Sequence, residues 1–176
     1  KDVNANWLGV SGSPVQYYNF HNRQGDEGVD FYNALEPWSY NVRTVQHFNT
    51  KVPYTELCYF GTLLAADAKE SDNLHIFTTN NILPAWNYSI LYERWGGGGM
   101  LNNETVKNKT LALGTNFLGE RYLMHAGFIS NNIIQNENGG LVDVADVRDT
   151  TIDAREMKVA LGKASSEIKQ KTFFLN

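Results

Sequence analysis

Trp86-Asn87-Tyr88-Ser89-Ile90-Leu91-Tyr92-Glu93 sets a two-residue beat that returns in Thr110-Leu111-Ala112-Leu113-Gly114-Thr115-Asn116-Phe117 and in Arg121-Tyr122-Leu123-Met124-His125-Ala126-Gly127-Phe128. In the first segment Trp86, Tyr88, Ile90 and Tyr92 share one face, while Asn87, Ser89 and Glu93 share the other with Leu91 as an apolar exception. Leu111, Leu113, Thr115 and Phe117 oppose Thr110, Ala112, Gly114 and Asn116; Tyr122, Met124, Ala126 and Phe128 oppose Arg121, His125 and Gly127. Successive side chains on a strand point to opposite sides, so these are strands. Each runs about ten residues, enough for a tilted strand to cross a bilayer. The polar faces would suit a wet lumen. The pattern predicts an all-β fold, an antiparallel up-and-down transmembrane β-barrel. A soluble antiparallel sandwich or barrel with one solvated face would alternate in the same way.

Outward from this stretch, Val15–Asn22, Tyr40–Asn49, Tyr54–Ala65, Leu74–Asn80 and Thr172–Asn176 read as further strands, about eight in all. Connections at 50–53, 81–84 and 118–120 are short. Those at 23–39, 66–73, 96–109 and 132–170 are long. A soluble sandwich has no reason for strict alternation of this kind, whereas a membrane barrel has tight periplasmic turns and long outer loops. Tyr54, Trp86, Phe117 and Tyr122 lie near the short turns, where aromatics anchor at a membrane interface, although Tyr54 falls on the face of Glu56. Within the long loop at 132–170, Met157, Ala160, Leu161, Ala164 and Ile168 have helical spacing and predict a helix over 153–170, either a plug in the barrel mouth or a cap on an outer loop.

The 176 residues suit one domain, 1–176, with 132–170 as a long extracellular loop. The chain is 42% hydrophobic, with a mean hydropathy of -0.39 and no run long enough for a membrane helix. Aromatics make up 12%, which suits either an aromatic girdle or a β-rich core. A net charge of -4 without a basic patch argues against nucleic acid. The single cysteine, Cys58, is expected to be a small strand side chain. No leader is visible at Lys1-Asp2-Val3-Asn4, as expected for a mature, trimmed or excerpted chain.

Phe48-Asn49-Thr50-Lys51-Val52-Pro53-Tyr54-Thr55-Glu56-Leu57, followed by Tyr59, resembles the β-barrel porin family of Bacteroidota outer membranes. Trp7-Leu8-Gly9 with Gly12-Ser13-Pro14 is similar to that family's start, with Val10 departing from its pattern, and Glu137-Asn138-Gly139-Gly140-Leu141 is similar to a second signature. The resemblance covers most of 7–141. It implies an outer-membrane location in a Gram-negative cell and a longer parent protein, of which this chain supplies part of the barrel. It brings no catalytic residues.

Glu56, Asn87, Glu93, Arg121 and His125 are the lumen-facing candidates, and arginine should be tolerated better at Asn87 or Asn116 than at Ile90 or Leu113. The histidines show no paired metal spacing. Asp143, Asp146, Asp149 and Asp153 are at best weak metal candidates, since their spacing is not that of a calcium loop. Gly96–Gly99 lack the lysine and helix of a phosphate-binding loop and read as a flexible connection. Asn87, Asn103 and Asn108 head glycosylation triplets but are expected to be ordinary polar residues. No cofactor and no enzymatic activity are expected. Three functions fit: a porin for passive diffusion of small solutes, a non-conducting outer-membrane scaffold or accessory subunit, and a soluble β-rich glycan-binding module. The partners expected for the first two are outer-membrane lipid, lipopolysaccharide, small solutes and other outer-membrane chains. The five residues Thr172–Asn176 are too few to seal a ring against Val15–Asn22, so this chain is not expected to close a barrel alone.

Overall fold

The computed structural model describes residues 5–7, 9–22, 30–61, 71–148 and 151–176. Ala5–Trp7 (β1) and Val15–Tyr17 (β2) pair only with each other. Tyr54–Gly61 (β3), Asp72–Leu83 (β4), Trp86–Gly98 (β5), Thr105–Leu118 (β6), Leu123–Glu137 (β7) and Ala164–Leu175 (β8) form one antiparallel meander in chain order. Strands β4 to β8 are 12 to 15 residues long, more than the roughly ten a tilted membrane strand needs. The sheet is open: β3 and β8 are its edges.

Register carries the alternation across the whole sheet. Thr55, Thr78, Ile90, Leu113, Phe128 and Phe173 stand opposite one another as one continuous row. Leu57, Ile76, Tyr92 and Leu111 form a parallel row one step along, ending in Ser130 and Lys171. Tyr88, Thr115, Ala126 and Leu175 form another. This face is apolar and open, with Leu57 68% and Phe173 79% exposed. Further along the same face, Leu74 is followed by Arg94, Lys109, Asn132 and Lys169, so the apolar band ends at a charged rim. At the other end stand Trp86, Phe117 and Met124.

Turn chemistry sets the two ends. Pro84-Ala85 joins β4 to β5, and 119–122 join β6 to β7. The strand ends that bound the longer connections, Gly61 and Asp72, Gly98 and Thr105, and Glu137 and Ala164, all lie at the opposite end. Gly96–Gly98, expected within a flexible connection, instead continue β5 opposite Lys107, Val106 and Thr105, because the ladder to β6 runs on past Lys109. Short and longer connections therefore segregate to opposite ends of the sheet.

Three expected elements fold differently. The helix over 153–170 is absent: 153–163 form turns, and Ala164–Leu175 is a strand twelve residues long along β7. Ala164 and Ile168 are four apart, which puts them on one face of a helix and equally on one face of a strand. The free edge of β7 offers twelve register partners, from Glu137 to Ala126, and decides between the two. Leu161 instead donates its N–H to the Asn138 carbonyl at 2.7 Å. The last strand is thus a full span rather than a five-residue stub. Tyr40–Asn49 is not a strand either. The Asn41 side chain accepts from the N–H groups of Arg43 and Thr44, an Asx turn that diverts the backbone from extension. The expected strand Val15–Asn22 shrinks to Val15–Tyr17 and leaves the sheet altogether. Consequently 50–53 is no hairpin turn. The expected strand Tyr54–Ala65 is described only as far as Gly61, since 62–70 lie outside the described residues.

The described residues of 9–22 and 30–50 run as a strap over the polar face, and the core forms between the two. Val15, Leu35, Trp38 and Ile133 make one buried cluster, with Trp95 and Ile168 packed against it. Leu91, the exception in the alternation, joins Ala112 and Ile129 in a second, against Tyr40 and Val45. Leu91 sits on the polar face because the strap, rather than water, covers that position. No helix among the described residues is long and apolar enough to cross a membrane.

Candidate functional site

Carboxamides on the strap-covered face hold the strap by its backbone. Asn131 in β7 is 3% exposed. Its Oδ1 accepts the Tyr40 backbone N–H at 3.1 Å, and its Nδ2 donates to the Tyr40 carbonyl at 2.7 Å. One side chain thus satisfies both backbone groups that Tyr40 would otherwise offer to a neighbouring strand. The Gly12 carbonyl accepts from Asn108 Nδ2 at 2.7 Å and from Gln135 Nε2 at 3.3 Å. Gly12 has φ +96°, and a Cβ there would meet Asn108 Nδ2 and Val106 Cγ1, each at 2.9 Å. Glycine is therefore required by both backbone conformation and space. Trp38 Nε1 donates to the Ser13 carbonyl at 2.7 Å and its ring packs on Trp95 at 5.5 Å. Asn81 accepts from the Thr50 N–H and donates to Asn49, fixing the strap's far end.

Glu93 in β5 is 3% exposed and heads the polar centre. Its Oε1 lies 2.8 Å from His75 Nδ1 and accepts the Tyr40 hydroxyl at 3.2 Å, while Oε2 accepts Trp95 Nε1 at 3.0 Å. Burial, followed by the Glu93 charge and hydrogen bond, pushes the Tyr40 hydroxyl far above the usual phenol range. Tyr40 stays a neutral donor and ties the strap to the wall.

Four of the five lumen candidates lie on this face. Glu56 accepts from the Tyr54 hydroxyl at 2.9 Å and from Cys58 Sγ. Asn87 accepts from Thr79 Oγ1 and donates to Asn81 at 2.6 Å. Glu93 and His125 complete the set. Arg121 does not join them; it is exposed in the turn before β7. Asn87 and Asn116 are 2% and 3% exposed rather than wet, so the expected tolerance of arginine there is overturned. Of the interface aromatics, Trp86 and Phe117 stand on the apolar face and Tyr122 is exposed in the short turn. Tyr54 points to the polar face, because it shares strand parity with Glu56. Asp143 caps the Ala145 N–H and Asp153 the Arg155 N–H; Asp146 lies in a short 3-10 turn, and Asp149 lies outside the described residues. Among the described residues no three His, Cys, Asp or Glu side chains gather as a metal site.

His47 of the strap stacks on His125 of β7, ring centroids 4.2 Å apart, and the Nδ1 atoms of both are buried without a hydrogen-bond partner. Burial first, and then the His125 charge, lower the His47 pKa. The free strap therefore takes up a proton more readily than the docked one. Docking keeps its full strength above the ordinary imidazole value of about 6.5 and weakens as pH falls below it. Limited proteolysis of the strap should be faster at pH 5 than at pH 7.5, and His47→Gln should flatten that difference; equal rates in the parent protein would refute the coupling.

The residues that hold the strap, Asn81, Asn108, Asn131 and Gln135, escape a reading of the sequence aimed at charge. Their signal is carboxamide enrichment on one parity of the strands. A carboxamide both donates and accepts, which is what a bare backbone segment demands.

A family model described as "Putative porin" matches residues 1–176, the whole chain. No curated protein and no solved structure matches it significantly.

Proposed function

Because the chain belongs to this porin family, we propose that its meander is a stretch of outer-membrane barrel wall serving passive diffusion of small solutes, with the strap lying on the lumenal side. One observation carries this reading: the continuous cross-strand apolar row from Thr78 through Ile90, Leu113 and Phe128 to Phe173, backed by a polar opposite face. Such a face matches hydrocarbon along its height. Trp86, Phe117 and Tyr122 at the short-turn end fit the periplasmic interface. Arg94, Lys109 and Lys169 at the long-loop end fit the anionic headgroups of lipopolysaccharide. The buried polar groups bind the strap and one another, so transport rather than catalysis is the role they support. Further strands, or another outer-membrane chain, would pair with β3 and β8 to cover their backbone groups.

The strap itself favours a second reading, a non-conducting scaffold or accessory subunit, since it occupies the face a solute would pass. Conductance of the full-length protein in planar bilayers separates the two. Steady ohmic current supports passage. Inserted protein that carries no current, with the strap intact or removed, supports the scaffold.

A further inference from the structure

Between the strap and β3–β6 lies a cavity of about 360 Å³, lined in part by Tyr40, Phe48, Tyr54, Glu56, His75 and Phe77. Its aromatic wall is assembled from both bodies. Phe48 of the strap packs on Phe77 of β4 at 5.0 Å, and Tyr54 of β3 approaches Phe77 at 6.1 Å. Glu56 contributes a carboxylate whose hydrogen-bond partners, the Tyr54 hydroxyl and the Cys58 thiol, are both uncharged. Among the described residues, no Lys or Arg lines the cavity. The nearby Glu93 is already engaged by His75, Tyr40 and Trp95, which leaves Glu56 as the cavity carboxylate that no basic side chain hydrogen-bonds. Gly114 keeps the floor open, since a Cβ there would meet Ser89 Oγ at 2.7 Å.

We infer that this cavity is a binding subsite for small organic cations carrying a primary or quaternary ammonium group. Ring faces attract a cation through their quadrupole, most strongly when it is removed from water, and the carboxylate adds a counter-charge at the same place. A carboxylate ligand would meet repulsion from Glu56 and find no Lys or Arg among the described residues of the lining. The inference rests on the lumenal reading of this face, because a solute reaches the cavity from the lumen.

Isothermal titration of the full-length protein in detergent with choline chloride, and separately with sodium acetate, tests it. Choline should bind saturably and acetate should not. Glu56→Gln should weaken choline binding about tenfold or more, and Phe48→Leu, a strap substitution that leaves the wall intact, should weaken it severalfold. Absence of saturable choline binding, equal binding of acetate, or wild-type affinity in both variants would overturn the inference. The porin reading fails separately: a conducting protein that ignores choline loses only this subsite, while choline binding in a protein that never conducts keeps the subsite and removes the pore.

Discussion

Arginine at Ile90 or Leu113 is expected to destabilise the membrane-inserted protein by about 2–4 kcal/mol, the cost of a guanidinium near mid-bilayer. Both residues belong to the row that runs from Thr78 to Phe173, at the middle of the apolar band. Asn132→Arg is the control. Asn132 lies on the same face, in the row that carries Arg94 and Lys109, and there the cost should fall to about 0–1 kcal/mol. Urea titration of refolding into liposomes reads the difference. Asn87 and Asn116 cannot serve as mild controls, since each is almost fully buried beneath the strap. Equal losses at Ile90, Leu113 and Asn132 would mean that the band has no depth profile and does not face lipid.

The second large effect concerns the strap. Trp38 is 3% exposed and joins three parts: it packs on Trp7 and Trp95 and donates to the Ser13 carbonyl. Trp38→Ala should weaken docking by about 3–5 kcal/mol, the usual cost of emptying a large aromatic site. The wall should survive, because its strands pair with one another and not with the strap. The full-length variant should therefore insert as the parent does, lose protease protection of 30–50, and conduct more. Unchanged conductance with a demonstrably released strap would remove the strap from the conduction path.

The fold was legible where one periodicity had no competitor. The segments 86–93, 110–117 and 121–128 alternate with Leu91 as the one exception noted, and their register follows once each strand has an apolar side. The segregation of short and long connections was also readable, although the tight 50–53 segment counted toward it turned out to lead from strap to wall. The helix at 153–170 failed because residues four apart share a face in both helix and strand, and only the free edge of β7 breaks the tie. Tyr40–Asn49 failed for a different reason. Its apolar residues alternate, yet the partner that satisfies its backbone is a side chain, Asn131, ninety-one positions away. Separation in sequence hides such a pairing. The site was legible in part: the parity of Glu56, Asn87, Glu93 and His125 placed them correctly on the polar face. What covers that face was not legible, and so a surface read as wet is in fact dry at Asn87 and Asn108. Leu91 was the clue, an apolar residue in polar company that marks where the strap lies.

Nitroxide scanning of β6, one position at a time from Lys109 to Phe117 in the full-length protein reconstituted in liposomes, tests the central claim most directly. Accessibility to oxygen, which concentrates in lipid, should peak at 111, 113, 115 and 117. Labels at 110, 112, 114 and 116 should be shielded from oxygen and from a water-soluble nickel complex alike. A flat profile, or nickel access at 111 and 113 equal to that of an exposed loop position, would contradict a wall with lipid on one side and the strap on the other.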